Sequence, residues 1–316
     1  MARVKRGRVK KYDWMQTKLS FQYTSTASGS PYADSKYYDL GQCLSLMNRK
    51  LVRQGNLFRV KNLRVFTNDD KTLRFKVATI PTNWVSRNAW VKGKALWDQM
   101  NATALAEGSM TMLPKYHDYK VYMNSAHKSA GTGDNAIPCD ADGNAVSQTG
   151  SEWVMSEYAD SGSSSDNYDV MFLGQHTGTT SNYTTVGLIE AYRQSRIQPS
   201  ATDPEWPSDA ITSPWFKLFG DADQNSDVLG NLRDDNDAPP YPPARYVGDG
   251  ASDDDGGFTV GTGTVGKWTS SPAGFTVPAF NAPCGLFRLE IDDTVAMSNV
   301  SIHVSFDVEV LGPMDM

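Results

Sequence analysis

Apolar and polar residues alternate most clearly near the end of the chain. In VSIHVSFDVEV, Val300, Ile302, Val304, Phe306, Val308 and Val310 are interleaved with Ser301, His303, Ser305, Asp307 and Glu309. A period of two puts the apolar set on one face of a strand and the polar set on the other, so the run predicts a half-buried β-strand. GLFRLEID (285–292) alternates in the same way and reads as its antiparallel neighbour or a nearby strand. KLSFQYT, YYDLGQCLSLM, LFRVKNLRVF, LRFKVATI, YKVYM, EWVMSEY, YDVMFLG and TTVGLIEAY are further strand candidates. Short strands separated by Gly, Ser, Asn and Pro turns predict an all-β sandwich or barrel.

One stretch departs from this period. In NWVSRNAWVKGKALWDQMNATALA, Trp90, Trp97, Met100 and Ala104 recur near helical spacing, which predicts a helix inserted between two strands despite Gly93. Its tryptophans read as packing groups. Eleven of the 16 prolines fall between Pro199 and Pro283, and Asp203 to Asp255 holds 13 acidic residues. Such a segment is too polar and too proline-broken for core structure, so about 199–283 is expected to be long acidic loop. Residues 125–150 and 159–166 also read as exposed loops.

Charge adds what the pattern does not. The 316 residues carry a net charge of −6, yet residues 1–100 hold +14 and residues 101–316 hold −20. The chain begins ARVKRGRVKK, with Arg3, Lys5, Arg6, Arg8, Lys10 and Lys11 and no acid among them. Residues 1–16 therefore read as a flexible basic arm and 17–316 as the folded body. No apolar run follows the arm, which argues against a secretory signal, and none is long enough for a membrane helix. A second basic cluster, Arg49, Lys50, Arg53, Arg59, Lys61 and Arg64, lies in a stretch apolar enough to fold. Arg59 and Lys61 are two apart and so share a strand face. A basic face following a basic arm suits a polyanion. The competing reading is a strand edge whose Lys and Arg discourage aggregation. Tyr12 and Trp14 are placed to stack on unpaired bases, or to anchor the first strand.

Motifs for chemistry are sparse. Cys43, Cys139 and Cys284 are widely spaced and read as buried free thiols. The four histidines form no metal-binding spacing, and nucleotide-binding and nucleophile-elbow motifs are absent as working units. Asp221, Asp223, Asn225 and Asp227 resemble the start of a calcium loop, but Ser226 replaces the turn glycine and Leu232 the closing glutamate. An acidic surface loop is the better reading. No cofactor and no enzymatic activity are expected.

The arm ARVKRGRVKK, the strand series through VSIHVSFDVEV and the loops between them together resemble the capsid proteins of small circular Rep-encoding single-stranded DNA viruses, the circovirus-like group. The resemblance covers the architecture from end to end. It implies a single eight-stranded antiparallel jelly-roll sandwich with long interstrand loops. It also implies self-assembly into an icosahedral shell of about 60 copies, with single-stranded nucleic acid, expected to be DNA, inside. The implied interface is Arg3, Lys5, Arg6, Arg8, Lys10, Lys11, Trp14 and the cluster Arg49 to Arg64. The setting would be the virion, with the arm a candidate nuclear-localisation signal, a host receptor of unspecified identity and no membrane insertion. The arm is short for that group, and the helical insertion near Trp90 has no counterpart in the resemblance. The alternatives are a monomeric β-sandwich that binds glycans through Trp and Asp loops, and a glycoside hydrolase whose paired carboxylates spacing cannot reveal.

Overall fold

The computed structural model describes residues 15–25, 34–67, 73–107, 116–132, 135–146, 153–159, 167–179, 182–196, 240–241, 246–250, 258–265, 275–292 and 300–314. The described residues are mostly β-sheet with few helices, as the alternation predicts. Two sheets enclose the main core. The first contains β1 (Lys18–Ser25), β13 (Val300–Pro313), β3 (Asn56–Thr67) and β10 (Phe275–Val277) in that order, with β11 (Phe280–Pro283) also paired to β3. The second runs β2 (Asp34–Asp39), β12 (Leu286–Asp292), β4 (Leu73–Thr79), β9 (Phe258–Val265). Every pairing in these two sheets is antiparallel.

Alternation determines what fills the space between the sheets. Ile302, Val304, Phe306 and Val308 of β13 are buried beside Leu19 and Phe21 of β1 and Phe58, Val60, Leu63 and Val65 of β3. The second sheet contributes Tyr38, Phe75, Val77, Phe287 and Leu289 to the same core. Phe21 meets Tyr38 edge-on at 5.0 Å, and Phe287 meets Phe306 edge-on at 5.5 Å, so aromatic pairs join the sheets at their centre. Edge-to-face geometry is the favoured contact between quadrupolar rings. β12 and β13 thus lie in different sheets: GLFRLEID is a nearby strand and not the direct neighbour of VSIHVSFDVEV.

The chain between β4 and β9 contains α2 (Trp84–Glu107), α3 (Ser125–Ala130), a third sheet and α4 (Leu188–Gln194). That sheet is ordered β5 (Glu157–Ala159), β6 (Asn167–Met171), β8 (Asn182–Gly187), β7 (Thr177–Thr179), with β6 and β8 parallel. The predicted helix is present as α2, and Trp90 and Trp97 are buried as packing groups. Gly93, which weakens the helix locally, sits where α2 meets Leu188, Tyr119 and Tyr158. A Cβ there would lie 2.7–2.9 Å from all three side chains.

Several expectations change. YYDLGQCLSLM is not one strand: β2 ends at Asp39, and α1 (Leu40–Asn48) begins. Asp39 caps α1 by accepting the Gln42 N–H at 3.2 Å, which explains the switch. TTVGLIEAY likewise divides between β8 and α4. YKVYM is not a strand, and Tyr119, Lys120, Val121 and Met123 are all buried. There Gln54 takes the place of a neighbouring strand, accepting the Val121 N–H at 2.7 Å and donating to the Val121 carbonyl at 3.1 Å. EWVMSEY forms strand only from Glu157 onward. Residues 125–130, expected as loop, form α3. Within 199–283, β9, β10 and β11 replace expected loop, and GTGTV of β9 pairs with β4 through its backbone. Residues 194–246 separate as a second compact unit, most of which falls outside the described residues.

Candidate nucleic-acid interface

β3 is not a sheet edge, because β13 flanks it on one side and β10 and β11 on the other. Edge protection therefore does not explain its Lys and Arg. Phe58 and Val60 point into the core while Arg59 and Lys61 point away from it. Simple alternation would then send Arg64 inward. A bulge prevents this: Asn62 has φ 53°, and the β3–β13 register shifts between Ser305 and Asp307. The extra residue returns Leu63 to the core and Arg64 to the outer face, where Arg59, Lys61 and Arg64 share one surface.

That surface is less cationic than its sequence suggests. Arg59 is in register with Glu309, and Lys61 with Asp307. Lys61 Nζ pairs with Glu309 Oε2 at 2.6 Å, and Asn62 Nδ2 donates to Asp307 Oδ2 at 2.9 Å. The polar face of β13 thus carries acids into the basic stripe. Arg59 and Arg64 are exposed and have no partner among the described residues.

The other half of the cluster lies at one end of the sandwich. Arg49 caps α1 in the left-handed conformation at φ 49°. Arg53 is committed to Asp118, its Nη1 2.7 Å from Oδ1. Asn48, next to Arg49, holds the root of the chain: it accepts the Gln16 N–H at 2.7 Å and donates to the Gln16 carbonyl at 3.1 Å. Gln16 therefore lies at the end of α1, next to Arg49 and Lys50.

Between α1 and the residues after α2 lies an open cleft of about 200 Å³, lined by Ser45, Arg49, Leu51, Tyr116, Lys120 and Trp153 among others. Lys120 Nζ stands 5.0 Å from the centre of the Trp153 ring, a cation–π contact. Burial lowers the Lys120 pKa, an effect that the nearby Asp118 and Asp39 oppose. The Trp153 indole N–H donates to Asp39 Oδ2 at 2.8 Å, which fixes the ring. Asp39 also accepts from Gln54 at 2.9 Å. It is fully buried, and desolvation raises its pKa to about 6, moderated by these hydrogen bonds.

Lys120, Tyr116 and Trp153 were not singled out by the sequence. Their signal was faint: a lone lysine between Tyr119 and Val121 in an alternating run, and two aromatic residues flanked by polar loops. Arg3, Lys5, Arg6, Arg8, Lys10, Lys11, Tyr12 and Trp14 lie outside the described residues, as do Asp221, Asp223, Asn225 and Asp227. Among the described residues, no group of three or more His, Cys, Asp or Glu side chains is arranged to hold a metal. No described helix is long and apolar enough to cross a membrane. All three cysteines are free and buried, as expected. His127 is a structural group: it stacks on Tyr37 at 4.3 Å, accepts the Met123 N–H and bonds Asn135 at 2.7 Å. Comparison with protein-family models, curated proteins and solved structures finds no match.

Proposed function

We propose that this chain is the coat subunit of an icosahedral particle and packages single-stranded nucleic acid, expected to be DNA, through its basic arm and an adjoining basic surface. The observation that carries the reading is the strand order. If β10 and β11 are taken as one interrupted strand, the two core sheets read β1-β13-β3-β10/β11 and β2-β12-β4-β9. Strands one to four of the chain alternate between the sheets, and the last four alternate back, which is the interleaving of an eight-stranded jelly roll. The helices and third sheet then form one long insertion between the fourth and fifth strands.

A jelly roll also occurs in lectins and enzymes, so the fold alone does not select a coat protein. The charge distribution favours it. Six cations precede Gln16, which bonds Asn48 next to Arg49 and Lys50, and Arg59 and Arg64 are exposed cations on β3. Such groups bind phosphates without reading sequence, and that binding weakens steeply with salt. On this reading the chain works in a virion of identical subunits, and the arm doubles as a nuclear-localisation signal.

The mass of the expressed full chain tests the proposal, by light scattering and electron microscopy at low and high salt, with and without single-stranded DNA. Particles of tens of subunits are expected. A monomer under all four conditions would sink the proposal. In particles, deleting residues 1–11 should reduce the nucleic acid content.

A further inference from the structure

The cleft beside α1 holds a buried cation with no direct ion pair or hydrogen bond among the described residues. Lys120 is only 5% exposed. Among the described residues its Nζ has neither a hydrogen bond nor a carboxylate within 4.0 Å, and its one close partner is the ring of Trp153. Asp118 pairs with Arg53 through Oδ1, and the Asp118 and Asp39 carboxylates act on Lys120 only from beyond contact distance. Taking an ammonium out of water costs several kcal/mol unless something solvates it, and this one faces a cleft of about 200 Å³. Arg49 lines the same cleft, also without a partner among the described residues, in a left-handed conformation that side chains other than Asn and Asp rarely adopt. Two cations, neither in a direct ion pair among the described residues, therefore line one space. The remaining wall is aromatic: Tyr116 is 66% exposed, and Trp153 is held rigid by Asp39.

We propose that this cleft binds one nucleotide of a single strand, with the phosphate between Lys120 and Arg49 and the base against the Tyr116–Trp153 wall. Cations adjoining aromatic faces are the combination that holds unpaired bases. The location of the cleft adds an independent argument: Gln16, which follows the basic segment in the sequence, is bonded to Asn48, one residue from Arg49. The inference rests on the coat reading and adds a defined subsite to it.

The test uses the full chain. Thymidine 5′-monophosphate, thymidine, inorganic phosphate and a sialylated trisaccharide are titrated by calorimetry. A ten-nucleotide oligothymidylate carrying 5-bromouracil is photo-crosslinked and mapped by mass spectrometry. The monophosphate should bind about tenfold more tightly than thymidine or phosphate, and Lys120→Met or Arg49→Asn should each weaken it about tenfold. Asn tolerates the left-handed backbone, so Arg49→Asn remains informative if Lys120→Met does not fold. Crosslinks should fall on Tyr116 or Trp153. Unchanged affinity in Arg49→Asn, crosslinks confined to other segments, or preference for phosphate alone or for the trisaccharide would overturn the proposal. Particles that package DNA but do not bind the monophosphate would overturn the cleft and leave the coat reading standing. A monomer that binds it here would do the reverse.

Discussion

Gln16 and Asn48 exchange two hydrogen bonds, backbone N–H to side-chain oxygen at 2.7 Å and side-chain nitrogen to backbone carbonyl at 3.1 Å. The pair ties the beginning of the folded body to the last residue of α1. Asn48 Nδ2 also donates to the Leu44 carbonyl at 2.9 Å, so one amide serves the helix end and the chain entry together.

Asn48→Ala removes all three bonds at an exposed site, where each net contribution is small. The expected loss is about 1 kcal/mol in denaturant unfolding. Limited proteolysis should also show faster cleavage ahead of β1. Equal cleavage rates in the two proteins would mean that Gln16 is held by something else.

Gln54 should matter far more. Its side chain is buried and joins Asp39, the Val121 N–H and the Val121 carbonyl. Gln54→Leu keeps similar volume but leaves the buried Val121 N–H and carbonyl unsatisfied and takes one donor from Asp39. At about 1–3 kcal/mol each, with partial relaxation, the loss should be on the order of 3 kcal/mol. A change below 1 kcal/mol would show that the 118–123 segment finds other partners.

Gly93→Ala is expected to destabilise even though alanine is the better helix former by about 1 kcal/mol. The new methyl would press on Leu188, Tyr119 and Tyr158, and the hydroxyls of both tyrosines are already fixed, bonded to each other at 2.6 Å with Tyr158 also bonded to the Gly93 carbonyl. Overpacking of this kind costs about 1–3 kcal/mol, so a net loss is predicted. A higher melting temperature for the variant would contradict the packing account.

These residues also mark the limit of what the sequence reveals. β13 was legible because its alternation is strict from Val300 to Val310, and β3 because alternation holds on either side of the Asn62 bulge. α2 was legible because its apolar spacing is long. The Asp39 cap was not, since an aspartate inside an apolar run looks the same in a strand turn as at a helix start. β9 was hidden because FTVGTGTV alternates with glycine and threonine, and glycine is the strongest loop signal available. The basic cluster was visible, but its division was not. Only the Asn62 bulge puts Arg64 beside Arg59, and only strand pairing brings Asp307 and Glu309 from the far end of the chain. Lys120 and Trp153 meet across a tertiary contact that no local period encodes.

The acids of β13 should moderate nucleic-acid binding on the outer face of the first sheet. Replacing Asp307 by Asn and Glu309 by Gln releases Lys61 and leaves Arg59 and Arg64 without opposing charge. The double variant should retain single-stranded DNA at higher salt. The slope of log affinity against log salt should steepen by about 1, as expected for one or two added phosphate contacts. An unchanged slope would place this face away from nucleic acid.

Asp39 should make stability depend on pH in a direction opposite to the usual acidic residue. Burial raises its pKa from 3.8 to about 6 in the folded chain, so the folded state binds the proton more tightly than the unfolded state. Its contribution is therefore fully present below pH 3.8 and is lost as pH rises through 6. Two pKa units correspond to about 3 kcal/mol. Asp39→Asn does not titrate, although it loses an acceptor for Gln42, Gln54 or Trp153 at every pH. Unfolding free energies of the two proteins, measured between pH 4 and pH 7.5, should therefore diverge. The wild type should lose ground to the variant as pH rises, with most of the change between pH 4 and 6. Comparing the two proteins cancels groups that titrate equally in both. Parallel curves across this range would mean that Asp39 is better solvated than its burial beneath Trp153 implies.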